Sequence, residues 1–189
     1  MRWGRIGGVL IVGGSVLSVA AVALAGPAGP GDTGRRDIAN LVINASLVLL
    51  GSGASVLGLF GPSPLHGRTV RIGLGTLAVG LVGLLVSSII PIPAGSNSLQ
   101  SWPYIISGAI GLSAMALGSL LTVLALVGTP GPSRGVGSVF LTGLLLFALA
   151  IPLNAWLLQQ LALTLVLLGV TGVGLLAING DRSAADASA

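Results

Sequence analysis

Residues Ile38–Gly61 read IANLVINASLVLLGSGASVLGLFG, a run without a single charge. A helix needs about 20 apolar residues to cross a bilayer, and this run supplies them. Within it Asn40, Asn44, Gly51, Ala54, Gly58 and Gly61 follow steps of three and four, interrupted only by Leu47. That spacing gathers the small and polar side chains on one helix face. In lipid, hydrocarbon does not drive helices together. Small residues let backbones approach, and amides bond from helix to helix. The stripe therefore predicts a helix packed against protein along one side, with Asn40 and Asn44 as interhelical glue or as contacts for a solute.

Outward from this run the same grammar recurs. Six apolar runs are bounded by Gly, Pro, Arg or an aromatic: residues 6–24, 38–60, 70–90, 104–127, 136–151 and 155–178. Strands crossing a bilayer would be half as long and would alternate. The expected fold is thus an all-α membrane bundle of six spans in one domain, with 179–189 as a flexible polar tail. In the fourth run Gly111 and Gly118 belong to a stripe with Ser107, Ala114 and Ala125. In the third, Gly73, Thr76, Gly80, Gly83 and Ser87 form another.

Composition agrees. Hydrophobic residues make up 53% of the 189 residues and charged ones only 6%. Mean hydropathy is +1.05. A soluble domain carries about 25% charged residues, so lipid is the solvent implied here. The eight cations are all arginine, which with the abundant Gly, Ala and Pro points to a GC-rich prokaryotic genome. They form no patch suited to nucleic acid and sit in the connections between runs. With the N-terminus inside, Arg2, Arg5, Arg68, Arg71, Arg134 and Arg182 face the cytoplasm. Only Arg35 and Arg36 then face outward, flanked by Asp32 and Asp37. The positive-inside rule accordingly puts both termini in the cytoplasm, in a prokaryotic plasma membrane. Trp3, Trp102, Tyr104 and Trp156 fall at span ends, where headgroups hold aromatics. Asp37 is placed to cap the second helix.

The first run ends Ala23-Leu24-Ala25, a signal-peptidase pattern. Its apolar stretch exceeds the roughly 7–15 residues of a signal sequence, so it is read as a retained span. Cleavage would leave five.

A weak repeat marks the odd-numbered runs. Arg5, Arg71 and Arg134 open them. Gly14, Gly80 and Gly143 follow nine residues later, and Ala21, Ser87 and Ala150 sixteen later. Each run then meets Pro27, Pro91 or Pro152. This predicts three sequential helical hairpins in the same orientation.

Chemistry is scarce. There is no Cys, one His (His66), and no Asp, Glu or Lys inside any run. No thiolate, metal or cofactor site is expected, nor a nucleophile with its base. Proton-coupled carriers use buried ionisable groups, and none is available. Gln159 and Gln160, with Asn154, could line a vestibule or sit among headgroups. A non-enzymatic accessory or interaction subunit is the first expectation. Its partners would be the bilayer and either another membrane protein or a second copy.

The alternative is a binding subunit or small carrier for a neutral or lipophilic solute. In length and span count the chain resembles the substrate-binding subunits of energy-coupling-factor vitamin transporters, and Ala21-x-x-x-Ala25 resembles their small-residue docking motif. That resemblance, confined to architecture and one motif, implies solute binding.

Overall fold

The computed structural model describes residues 3–25, 33–62, 65, 67–90, 102–153 and 156–186. Arg2, Pro27, Asp32, His66, Pro91 and Asn154 lie outside the described residues, as do the side chains of Ala25, Arg35, Arg36, Trp156 and Arg182. The described residues form six α-helices and no strand: α1 Trp3–Ala25, α2 Thr33–Phe60, α3 Arg68–Ile89, α4 Trp102–Gly128, α5 Pro132–Ala150 and α6 Trp156–Asp186. All six are long and apolar enough to cross a membrane.

The helix limits follow local chemistry. α5, the shortest, starts at Pro132 behind Gly131, whose φ of 91° is a value that side chains other than glycine rarely adopt. Proline suits the first helical position because its missing N–H would be unpaired there anyway. α2 starts at Thr33, so Asp37 is an exposed residue within the helix and not its cap. α6 likewise runs on to Asp186, through much of the stretch expected to be a flexible tail. Once a span has nucleated a helix, each added residue costs little, and Arg, Ser and Ala extend it readily.

Each helix packs on its chain neighbours, and α6 returns to α1, closing a ring. Neighbours run antiparallel. At one end Trp3 at the start of α1 stacks on Phe60 at the end of α2, with ring centroids 5.7 Å apart. This is called the terminal end here, because the chain enters α1 there. It also carries the α2–α3 and α4–α5 connections.

The three hairpins share a register in which the first two contacts on the odd-numbered helix stand seven residues apart. In the first, Gly7 meets Leu57, Gly14 meets Leu50, and Ser18 bonds Ser46. In the second, Gly73 meets Thr122, Gly80 meets Met115, and Ser87 lies against Gly108. In the third, Val136 meets Gly172, Gly143 meets Val166, and the Ala150 carbonyl accepts from Gln159. The glycines nine residues after Arg5, Arg71 and Arg134 thus all dock on a partner helix's backbone. Ala21, Ser87 and Ala150 are all buried. The sequence repeat is a repeat of packing.

The interior is uneven. Toward the terminal end and middle it is filled by Leu57, Leu65, Leu74, Leu77, Leu81, Leu126 and Val173. Toward the opposite end the described buried residues are small: Ala21, Ala39, Ser46, Ser87, Ala150 and Ala162.

Candidate functional site

With no ionisable group inside the apolar core, any site must be built from amides, hydroxyls and backbone. The most polar arrangement joins α2 to α3. Asn44, half-buried, accepts a hydrogen bond from Ser88 Oγ at 2.8 Å. That hydroxyl also lies 2.7 Å from the carbonyl of Leu85 in its own helix. The amide is therefore interhelical glue of the kind packing faces carry. Asn40, one turn nearer the helix start, is exposed. The buried neighbour at that level is Ala39, 2% exposed. The helix turns enough across the Leu47 interruption that Asn40 leaves the packed face.

The four glycines singled out with the amides divide into two pairs. Gly51 and Gly58 are both buried, yet neither is crowded. A Cβ on Gly51 would meet Leu81 Cβ at 3.6 Å, and one on Gly58 would meet the Arg71 carbonyl at 3.4 Å. Gly111 and Gly118 lie against backbone. A Cβ on Gly111 would come 2.7 Å from the Leu84 nitrogen, and one on Gly118 would land on the nitrogen of Leu77. The structure does not bring these residues into one site. They lie on separate seams.

Other contacts were not legible in the stripe. Ser18 Oγ and Ser46 Oγ lie 2.6 Å apart across α1 and α2. Gly53, off the predicted face, has its Cβ position 2.9 Å from the Gly7 carbonyl. Gly8 and Gly174 close the ring, each with its Cβ position against the other's carbonyl, at 2.5 and 2.8 Å. Of the closely spaced glycines of α6 only Gly174 faces α1; Gly169 and Gly172 face Phe140 and Val136 of α5.

A groove opens on the outer side of the same α1–α6 seam. It has a volume of about 160 Å³ and is lined by Ser15, Val16, Val19, Thr164, Leu167, Leu168 and Thr171. Its three hydroxyls are already engaged. Ser15 donates to the Ile11 carbonyl, Thr164 to Gln160 and Thr171 to Leu167, at 2.7 to 2.9 Å. Such back-bonding leaves little polar capacity for a ligand. Gln159, half-buried, donates to the Ala150 carbonyl at 3.3 Å, across the α5–α6 turn.

Among the described residues no buried side-chain nitrogen or oxygen lacks a partner. No group of three His, Cys, Asp or Glu among them could hold a metal. Ala21 of the small-residue motif is wholly buried in its own bundle. It offers no surface for docking a partner. Comparison with protein-family models, with curated proteins and with solved structures gives no match.

Proposed function

We propose that this is a non-enzymatic integral membrane protein acting as an accessory or interaction subunit in a prokaryotic plasma membrane, with both termini cytoplasmic. The observation that carries this reading is the packing of the interior at the terminal end and middle: Leu57, Leu74, Leu77, Leu81, Leu126 and Val173 occupy the space a solute would need there. Among the described residues every buried side-chain nitrogen and oxygen has a partner, which leaves few groups inside to orient a substrate. The orientation rests on the arginines. Arg5, Arg68, Arg71 and Arg134 all belong to the terminal end, and cytoplasmic connections are enriched in cations.

The groove between α1 and α6 favours a second reading, a binding subunit for a lipophilic solute, because it is apolar and open at the side. Purification of the full chain from its host membrane in mild detergent separates the two. A protein co-purifying at fixed stoichiometry is the result expected. A small molecule at one per chain, with no companion protein, would overturn the accessory reading. Orientation is tested separately with Thr69→Cys and Leu153→Cys, at exposed positions on opposite ends. An impermeant thiol reagent applied to intact cells should label only the second.

A further inference from the structure

The seam between α2 and α3 carries a cationic feature at the terminal end that the accessory reading does not use. Arg71 projects from the first turn of α3, and its Nε donates to the Gly58 carbonyl at 2.9 Å, in the last turn of α2. That bond holds the guanidinium on the seam. Among the described residues its two remaining nitrogens have no partner. Arg68 lies one turn earlier on the same helix, exposed and likewise without one. Like charges three apart on a helix repel. The first turn of α3 contains no acid to offset them, and Gly67 offers no side chain as a cap.

Beyond the two arginines the outer surface is apolar: Leu59, Ile72 and Val79 are each at least half exposed. Cations at the headgroup level above an apolar strip match a ligand with an anionic head and hydrocarbon tails.

We infer that Arg68 and Arg71 bind the phosphate of an anionic phospholipid, with its acyl chains lying along Leu59, Ile72 and Val79. A guanidinium fork takes two phosphate oxygens at once, and Arg71 is already oriented for it. The apolar strip selects a lipid over free phosphate.

The test uses the full chain in neutral detergent, titrated with phosphatidylglycerol and followed by native mass spectrometry. Phosphatidylcholine with the same chains and inorganic phosphate serve as comparisons. Phosphatidylglycerol should bind saturably and phosphatidylcholine much more weakly. Arg68→Gln should cost about fivefold in affinity, and Arg68→Gln with Arg71→Gln about 25-fold, the scale expected of arginines at a membrane surface. Arg35→Gln with Arg36→Gln, the same charge change in the stretch leading into the second span, should leave binding unchanged.

Equal binding of the two lipids would overturn the inference. So would an equal loss in the Arg35 and Arg36 pair, or unaltered binding in the Arg68 and Arg71 pair. Displacement of the lipid by millimolar inorganic phosphate would show a soluble-anion site instead. Should Arg71→Gln unfold the seam, Arg68→Gln alone decides, because Arg68 makes no contact that folding requires. This result is independent of whether the protein proves to be an accessory subunit.

Discussion

Helix α3 packs on its two neighbours by different means. Against α4 the contact is backbone to backbone along nearly the whole helix. Gly73, Gly80 and Gly83 lie against the main chain of α4, and Gly111 and Gly118 against that of α3. Against α2 the contact is looser, with both side chains and backbone at ordinary distance. A Cβ on Gly51 would meet Leu81 Cβ at 3.6 Å, one on Gly58 would meet the Arg71 carbonyl at 3.4 Å and Leu74 Cβ at 3.7 Å, and Asn44 takes the Ser88 hydroxyl. The first seam is tight because no Cβ stands in it. The second has glycines that are buried but not squeezed. A buried glycine and an obligatory glycine are different things, and only the distance to the facing backbone tells them apart.

The largest expected effect breaks the tight seam. A methyl at Gly80 would land on the Met115 nitrogen, and one at Gly118 on that of Leu77. Backbone cannot swing aside as a side chain can, so the helices must separate. Gly80→Ala or Gly118→Ala should each cost about 3 kcal/mol, the upper range for overpacking a tight core. Folded fraction and monodispersity in one detergent measure it, with Val79→Leu as the control on the exposed face of α3. Tolerance of alanine at both positions would mean that α3 and α4 are not in backbone contact.

Next in size is Gly58→Leu on the looser seam. One carbon fits at Gly58, but a leucine would press on Leu74 and on the backbone of Arg71 and Gly75. The expected cost is about 1–2 kcal/mol. Gly58→Ala should be close to neutral, which sharpens the contrast with Gly80→Ala.

A smaller effect of opposite sign is expected at Gly51, where a Cβ meets only Leu81 Cβ at 3.6 Å. Gly51→Ala should stabilise, by up to about 1 kcal/mol, because alanine is the better helix former and the space is there. Raised resistance to thermal aggregation is the readout. A loss would show that α2 and α3 approach more closely than described.

These seams also show how far the sequence could be read. The six spans were legible because length and hydropathy fix them: a chain with 6% charged residues has few other ways to fold. The three-hairpin repeat was legible because Gly14, Gly80 and Gly143 keep their distance from an arginine, and all three face a partner's backbone. The rank of the stripes was not. The run 38–61 stood out because it holds two asparagines, yet its glycines are the roomier ones. Spacing reports which face a residue shares, not how near the facing helix comes. Asn40 shows the same limit. It kept the step of four, but a stripe that must cross Leu47 drifts around the helix, and Ala39 took the buried position. Gly8 with Gly174 was missed because the closing contact joins the first helix to the last, a pairing that no local pattern announces.

The smallest expected effect concerns the polar pair on the looser seam. Ser88 has a bond to Leu85 in its own helix besides the one to Asn44, so losing Asn44 leaves its hydroxyl satisfied. The pair also lies where α3 nears its end, since Ser88 is next to the last helical residue, Ile89. Both facts argue for a contribution at the low end of interhelical bonds in membranes, about 0.6 kcal/mol. Asn44→Leu adds apolar surface while removing the bond, so its net effect alone is ambiguous in origin. The clean quantity is the coupling from a double-mutant cycle of Asn44→Ala and Ser88→Ala, read as unfolding free energy in mixed detergent. A coupling of about 0.6 kcal/mol is expected. A value near 2 kcal/mol would mean that the asparagine, and not the leucine packing beneath it, sets the position of α2 on α3. A value of zero would reduce the stripe's most conspicuous residue to a bystander, with the seam held by the leucine packing and by the bond from Arg71 to Gly58.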